Sequence, residues 1–88
     1  MKAAFTPEAW EDYLFWQKQD KKILLRINAL IKETVRSPFS GMAKPEPLRH
    51  ELKGLWSRRI NEEHRFVYDV KDGAITVISL RFHYSKGC

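Results

Sequence analysis

Apolar positions along this chain change from a helical period in the first half to a strand alternation in the second. Trp10, Tyr13, Leu14 and Gln17 follow the i, i+3, i+4, i+7 spacing of an amphipathic helix, and Phe15 and Trp16 widen its apolar side toward a core. Thr6 is placed as N-cap, and Pro7 takes the first helical position, where its missing N–H costs nothing. Glu8, Glu11 and Asp12 then sit near the positive end of the helix dipole. Asp20 caps a second helix with a stripe of Ile23, Ile27, Leu30, Ile31 and Thr34, while Lys22, Arg26, Lys32 and Glu33 lie off it. So short a connection implies an antiparallel helix pair. The basic residues off the stripe suit a solvated face, with RNA or ribosome contact as the alternative.

Arg36 to Pro47 reads as a loop, because Pro38, Pro45 and Pro47 remove backbone donors and keep their predecessors out of the helical region. Glu46, between two prolines, is held rigidly there, which suits a catalytic carboxylate and a plain surface turn equally. Leu48–Leu52 and Trp56–Ile60 are expected as short strands around Gly54, although the first segment also fits a helical turn. Asn61–His64 makes a polar turn, and Arg65–Val70 and Ala74–Tyr84 are the clearest strands.

The last hairpin has two possible registers. A two-residue Asp72-Gly73 turn sets Val70 opposite Ile75, and a three-residue loop sets it opposite Ala74. The second is preferred here because it gathers Phe66, Tyr68, Val70, Ala74, Thr76, Ile78, Leu80 and Phe82 on one apolar face. It also sends Arg65, Val67, Asp69, Ile75, Val77, Ser79, Arg81 and His83 to the other. Arg65 would then oppose Ser79, with His83 about 13 Å further along. The predicted fold class is α+β: two N-terminal helices packed on a small, mostly antiparallel twisted sheet.

Composition narrows the class of function. Eighty-eight residues make one domain, and sixteen Lys and Arg against eleven Asp and Glu leave a net charge of +5, which favours polyanions or an acidic protein partner. With no membrane-length apolar run and no signal-peptide core, a cytoplasmic protein is expected. Cys88 alone builds no disulfide, and His50, His64 and His83 lack metal-ligand spacing, so neither metal nor cofactor is expected.

The segment Lys44–Tyr68 concentrates six basic side chains, four carboxylates and two imidazoles. Cutting RNA by internal attack needs a base for the 2′-hydroxyl proton, cations for charge growing on the phosphoryl oxygens, and an acid for the departing 5′-oxygen. Glu46, Arg65 and His83 are the residues such chemistry asks for. The ordinary alternatives are an ion pair of Arg65 with Glu62 or Glu63 and a surface imidazole at His83.

Four motifs occur together in order: Trp10-x-Asp12-Tyr13-Leu14-x-Trp16, Lys44-Pro45-Glu46-Pro47-Leu48, Trp56-Ser57-Arg58-Arg59-Ile60-x-Glu62-Glu63-His64-Arg65-x-Val67-Tyr68, and Arg81-x-His83-Tyr84. In these the sequence resembles the YoeB-type toxins of the RelE superfamily. The resemblance covers residues 1–84 as one toxin domain, leaving 85–88 as a tail. It implies the toxin of a type II toxin–antitoxin system, an endoribonuclease that cuts messenger RNA in the ribosomal A site.

By the same resemblance, Glu46 is the general base, Arg65 the transition-state stabiliser and His83 the general acid, while Tyr84 orients the scissile nucleotide. Arg49, His50, Arg59 and Glu63 match positions for substrate binding or site support, and Lys44 and Lys53 are weaker phosphate contacts. The implied partners are the ribosome, a YefM-like antitoxin whose acidic tail folds on the toxin, and a second copy in a homodimer. Operator DNA would be met only through the antitoxin. Many family members end near the His-Tyr pair, whereas here Ser85-Lys86-Gly87-Cys88 follow and displace the terminal carboxylate. The competing reading is a non-catalytic toxin on the same scaffold that binds a protein target such as gyrase.

Overall fold

The computed structural model of the protein describes residues 1–81. In chain order they form β1 (Lys2–Phe5), α1 (Pro7–Gln19), α2 (Lys21–Arg36), β2 (Glu46–Pro47), a 3₁₀ turn (His50–Leu52), β3 (Trp56–Arg59), β4 (Arg65–Lys71) and β5 (Ala74–Ser79). The strands make one sheet in the order β1-β5-β4-β3-β2. Only β1, running beside β5, is parallel to its neighbour; the other pairs are antiparallel. The two helices lie against this sheet, giving the expected α+β architecture.

Both helix starts follow from the sequence. The Thr6 hydroxyl accepts from the Ala9 N–H at 3.0 Å, and Pro7 opens α1. Asp20 ends α1 and caps α2, its carboxylate accepting from Lys22 and Ile23. The bond from the Tyr13 hydroxyl to Asn28 Oδ1, 2.8 Å, spans the junction about equally on both sides, as an antiparallel pair requires. Ile27, Leu30 and Thr34 are buried along the predicted stripe of α2.

On α1 the buried side is Ala9 and Trp16, whereas Trp10 remains 46% exposed, stacked on Tyr13. The small residue is what allows α1 to approach the sheet; the aromatic stripe drawn through Trp10 is rotated from the true contact face. Ala9, Trp16, Ile27, Leu30, Ile60, Phe66, Tyr68, Val77 and Leu80 form the main core.

The hairpin register differs from the preferred one. Lys71 pairs with Ala74 and Val70 with Ile75 across a two-residue turn, with Asp72 at φ 53° and Gly73 at φ 73°. That is the geometry whose twist suits a tight hairpin, and glycine adopts it without a Cβ penalty. The one-residue difference turns Ile75 and Val77 inward and leaves Thr76 and Ile78 only partly covered. A bulge at Val67/Tyr68 then sets Val67, not Arg65, opposite Ser79.

Two boundaries also change. β5 stops at Ser79, because Leu80 leaves the ladder to be gripped by α1. Its N–H donates to Asp12 Oδ2 at 2.9 Å, and its carbonyl accepts from Trp16 Nε1 at 3.0 Å. The strand expected at Leu48–Leu52 is instead the 3₁₀ turn, entered through His50 at φ 60°, a conformation no strand accommodates.

Candidate active site

Arg65 opens β4 immediately after the polar turn, and that turn holds it. Asn61 Oδ1 accepts from the N–H groups of Glu63 (2.9 Å) and His64 (2.7 Å), while the His64 carbonyl accepts from the N–H groups of Ile60 and Asn61. So folded, the turn aims three carbonyls at one guanidinium nitrogen: Arg65 Nη1 donates to Asn61 O (2.6 Å), His64 O (3.1 Å) and Glu62 O (3.3 Å). Arg65 is 8% exposed. Among the described residues no carboxylate pairs with it, so the expected alternative of an ion pair with Glu62 or Glu63 is replaced by their turn's backbone. Carbonyl dipoles satisfy hydrogen bonds without cancelling the charge, which stays on the remaining guanidinium edge.

Strand alternation decides what shares that edge. Trp56, Arg58, Phe66 and Tyr68 turn toward the helices, the aromatic three packing in or on the core and Arg58 bonding the Tyr68 hydroxyl. Ser57, Arg59, Arg65 and Val67 therefore occupy the opposite face. Arg59 lies directly opposite Arg65, and Ser57 directly opposite both Val67 and Glu46. Glu46, Arg59 and Arg65 thus project from one face of three adjacent strands. Two strand spacings and two residues of rise put the Glu46 and Arg65 backbones about 12 Å apart. Two like charges directly opposed across a ladder repel each other unless an anion lies between them.

Glu46 belongs to an edge strand of two residues rather than to the loop, and its side chain is exposed. That strand is held by its pairing with β3, and the loop leading to it by Arg58, a fully buried cation that sequence reasoning did not single out. It donates to the carbonyls of Ser37, Ser40 (2.9 Å) and Met42 (2.9 Å) and to the Tyr68 hydroxyl (3.3 Å), which donates to Pro38 O at 2.6 Å. Arg59 N–H closes on Ala43 O at 2.9 Å. The loop from α2 to Glu46 is therefore tied to β3 and β4 along its length. Burial pushes the Tyr68 hydroxyl above its ordinary pKa, with the Arg58 hydrogen bond and charge opposing that shift. At the loop's other side, the Arg36 guanidinium bonded to Glu33 lowers that carboxyl's pKa.

The remaining sequence candidates are dispersed. Arg49 and His50 are exposed at the start of the 3₁₀ turn, Lys44 and Lys53 are exposed in loops, and Glu63 is exposed in the turn beside His64, 3.7 Å from its Nε2. His64 packs edge-on against Trp16 at 4.8 Å. His83 and Tyr84 lie outside the described residues. Arg26, read from the sequence as part of a solvated face, reaches across to the carbonyls of Ile60 (3.1 Å) and Arg59 (3.2 Å), bracing the entrance to the turn. Among the described residues no group of three His, Cys, Asp or Glu side chains is placed to hold a metal ion, and no helix is long and apolar enough to cross a membrane.

Comparison with known proteins gives this geometry a context. Residues 5–84 match the family described as YoeB-like toxin of bacterial type II toxin–antitoxin system. The toxin YoeB of Synechocystis is 57% identical over 86 residues, covering 98% of this chain and all of that one. The solved YoeB/ParE toxin from Agrobacterium tumefaciens superposes with a TM-score of 0.91 at 49% identity, over 96% of this chain and all of its own. The Staphylococcus aureus YoeB, solved as a dimer and in complex with YefM, gives TM-scores of 0.88 and 0.87 at 45% and 44% identity. Each of those two comparisons covers 96% of this chain and 98% of the other.

Proposed function

This chain belongs to the YoeB-like toxins of bacterial type II toxin–antitoxin systems, and from that membership we propose that it is an endoribonuclease cutting messenger RNA in the ribosomal A site. The observation that carries the reading is the pair Arg59 and Arg65, directly opposed on the sheet face away from the helices, with Glu46 one strand further on. A phosphodiester is the anion that satisfies both cations while leaving its neighbouring 2′-hydroxyl toward a carboxylate.

In the proposed step Glu46 takes the 2′-hydroxyl proton as that oxygen forms its bond to phosphorus. Arg65 holds the charge that accumulates on the non-bridging oxygens, and its buried, pre-set guanidinium needs little rearrangement to do so. The bond to the 5′-oxygen breaks, His83 supplies that oxygen's proton, and a 2′,3′-cyclic phosphate remains. Tyr84 orients the scissile nucleotide. Arg59 and Arg49 hold flanking phosphates, with His50 and Glu63 supporting the site. Residues 1–84 carry the activity, and Ser85–Cys88 form a tail.

The partners follow from the same membership. The S. aureus relative is solved as a dimer and with YefM, and we assign this toxin a homodimeric state and a YefM-like antitoxin, for which the net charge of +5 suits an acidic segment.

The test offers messenger RNA to the protein either naked or in a programmed ribosome, alongside Arg65→Ala. Cutting that requires the ribosome, maps to the A site and disappears in the variant is the expected result. No cutting by the wild-type protein in either setting overturns the proposal in favour of a toxin that binds a protein target.

A further inference from the structure

Arg65 is positioned by the turn before it, and that turn is organised by one exposed side chain. The Asn61 amide oxygen accepts from the N–H groups of both Glu63 and His64 and so pins the turn from inside. The His64 carbonyl is also held by the N–H groups of Ile60 and Asn61, so the direction of the Asn61 and Glu62 carbonyls is what depends most on that amide oxygen. The same oxygen therefore closes the turn and aims its acceptors at Arg65 Nη1. Arg26 braces the turn from α2 through Arg59 O and Ile60 O, but it grips only the near side. On the far side Glu62 and Glu63 are exposed.

We propose that Asn61 is a positioning residue for the reaction: its side chain touches no reacting group and acts by presenting the carbonyl cradle that orients Arg65. Asparagine suits this place because its short amide bonds the backbone two residues on, forming a turn of its own. An uncharged acceptor is also required. A carboxylate at 61 would close the turn equally well but would set an anion beside the guanidinium that has to meet phosphate. Serine supplies a weaker acceptor without charge. The inference rests on the proposed catalytic role of Arg65, and its test separates the two.

Three variants, Asn61→Ala, Asn61→Ser and Arg65→Ala, are made in the full chain, with the double variant Asn61→Ala/Arg65→Ala. The first readout is hydrogen exchange of the Arg65 side-chain N–H groups by NMR, which needs no RNA. We expect exchange at least about tenfold faster in Asn61→Ala, since the cradle no longer protects these protons, and recovery in Asn61→Ser. The second is single-turnover cleavage on programmed ribosomes. A displacement of the guanidinium by about 1 Å corresponds to a rate loss of about 100-fold, with the half-saturating ribosome concentration unchanged and most of the rate restored by Asn61→Ser. In the Arg65→Ala background, Asn61→Ala should cost nothing more.

Unchanged Arg65 exchange in Asn61→Ala overturns the inference, as does a rate loss that persists when Arg65 is already absent. If Asn61→Ala fails to fold, a folded Asn61→Ser with a slow rate and unprotected Arg65 protons overturns it equally. Wild-type cleavage by Arg65→Ala would instead remove the catalytic reading, while the exchange measurement still decides whether Asn61 positions Arg65.

Discussion

Replacing Arg58 by Met isolates the tie that holds the loop before Glu46. The guanidinium is fully buried and donates four hydrogen bonds, three to carbonyls of the Ser37–Met42 loop and one to the Tyr68 hydroxyl. Bonds from a charged donor are worth about 1.5–3 kcal/mol each net, so four sum to roughly 6–12 kcal/mol. Against that, methionine fills much of the space without the several kcal/mol needed to desolvate a cation. Water also reaches the exposed Ser40 and Met42 once the arginine is gone. The balance is a destabilisation of about 3 kcal/mol. At 4–8 °C per kcal/mol for a domain of this size, Tm falls by roughly 12–24 °C. Urea titration followed by tryptophan fluorescence measures the free energy directly, with Arg58→Lys expected to recover little because a single ammonium cannot span the four acceptors. A loss below about 1 kcal/mol for Arg58→Met would refute the reasoning, since the loop would then hold its course without the tie.

Three further outcomes follow from the same contacts. Gly41 has φ 101°, and a Cβ there would collide with the Glu33 carboxylate, so Gly41→Ala should cost about 1–3 kcal/mol in chemical denaturation and be partly relieved by Glu33→Ala. Burial raises the Tyr68 pKa, so the unfolded chain releases this proton first; stability present below about pH 10 should fall as pH rises from there toward the folded-state value. Tyr68→Phe should remove that part of the alkaline limb in Tm against pH, and an unaltered limb would contradict the assignment. Trp16→Phe keeps an aromatic ring against His64 but loses the donor to Leu80 O, and thermal unfolding should report a loss of about 1–3 kcal/mol.

Those features of the fold that are set locally were legible in the sequence. Thr6-Pro7 and Asp20 fix their helices by capping, and the α2 stripe reads clearly because Leu24 and Val35 flank it half-buried and Leu25 is the one large apolar residue of α2 left exposed. The β5 faces were not legible, since Ile75 and Val77 compete with Ala74, Thr76 and Ile78 for the core on nearly equal hydrophobicity. The turn and the bulge decide that contest, through backbone geometry that alternation does not encode. Trp10 misled for a related reason: size marks a residue as core, yet close approach of α1 needed Ala9.

Of the candidate site, the sequence singled out Glu46 and Arg65 by the chemistry they offer and Arg59 by resemblance; that the three share one sheet face was not legible, because β2 and its pairing with β3 have no periodic signal in two residues. The register that placed Arg65 with His83 is overturned, and His83 itself lies outside the described residues. Asn61 could have been found, since an asparagine opening a polar turn just before a strand is a recognisable turn former. Arg58 and Arg26 could not, because a basic residue's partners here are carbonyls distant in sequence.

If this sheet face cuts RNA by attack of the substrate's own 2′-hydroxyl, removing that hydroxyl must abolish cutting. The most direct measurement programs ribosomes with a messenger RNA carrying a single 2′-deoxy substitution at the mapped cut and compares it with the all-ribose message, identifying the ends formed. The expected result is a 2′,3′-cyclic phosphate or its 3′-phosphate product from the ribose message and an intact deoxy message. Cleavage of the deoxy message at the same bond would contradict it.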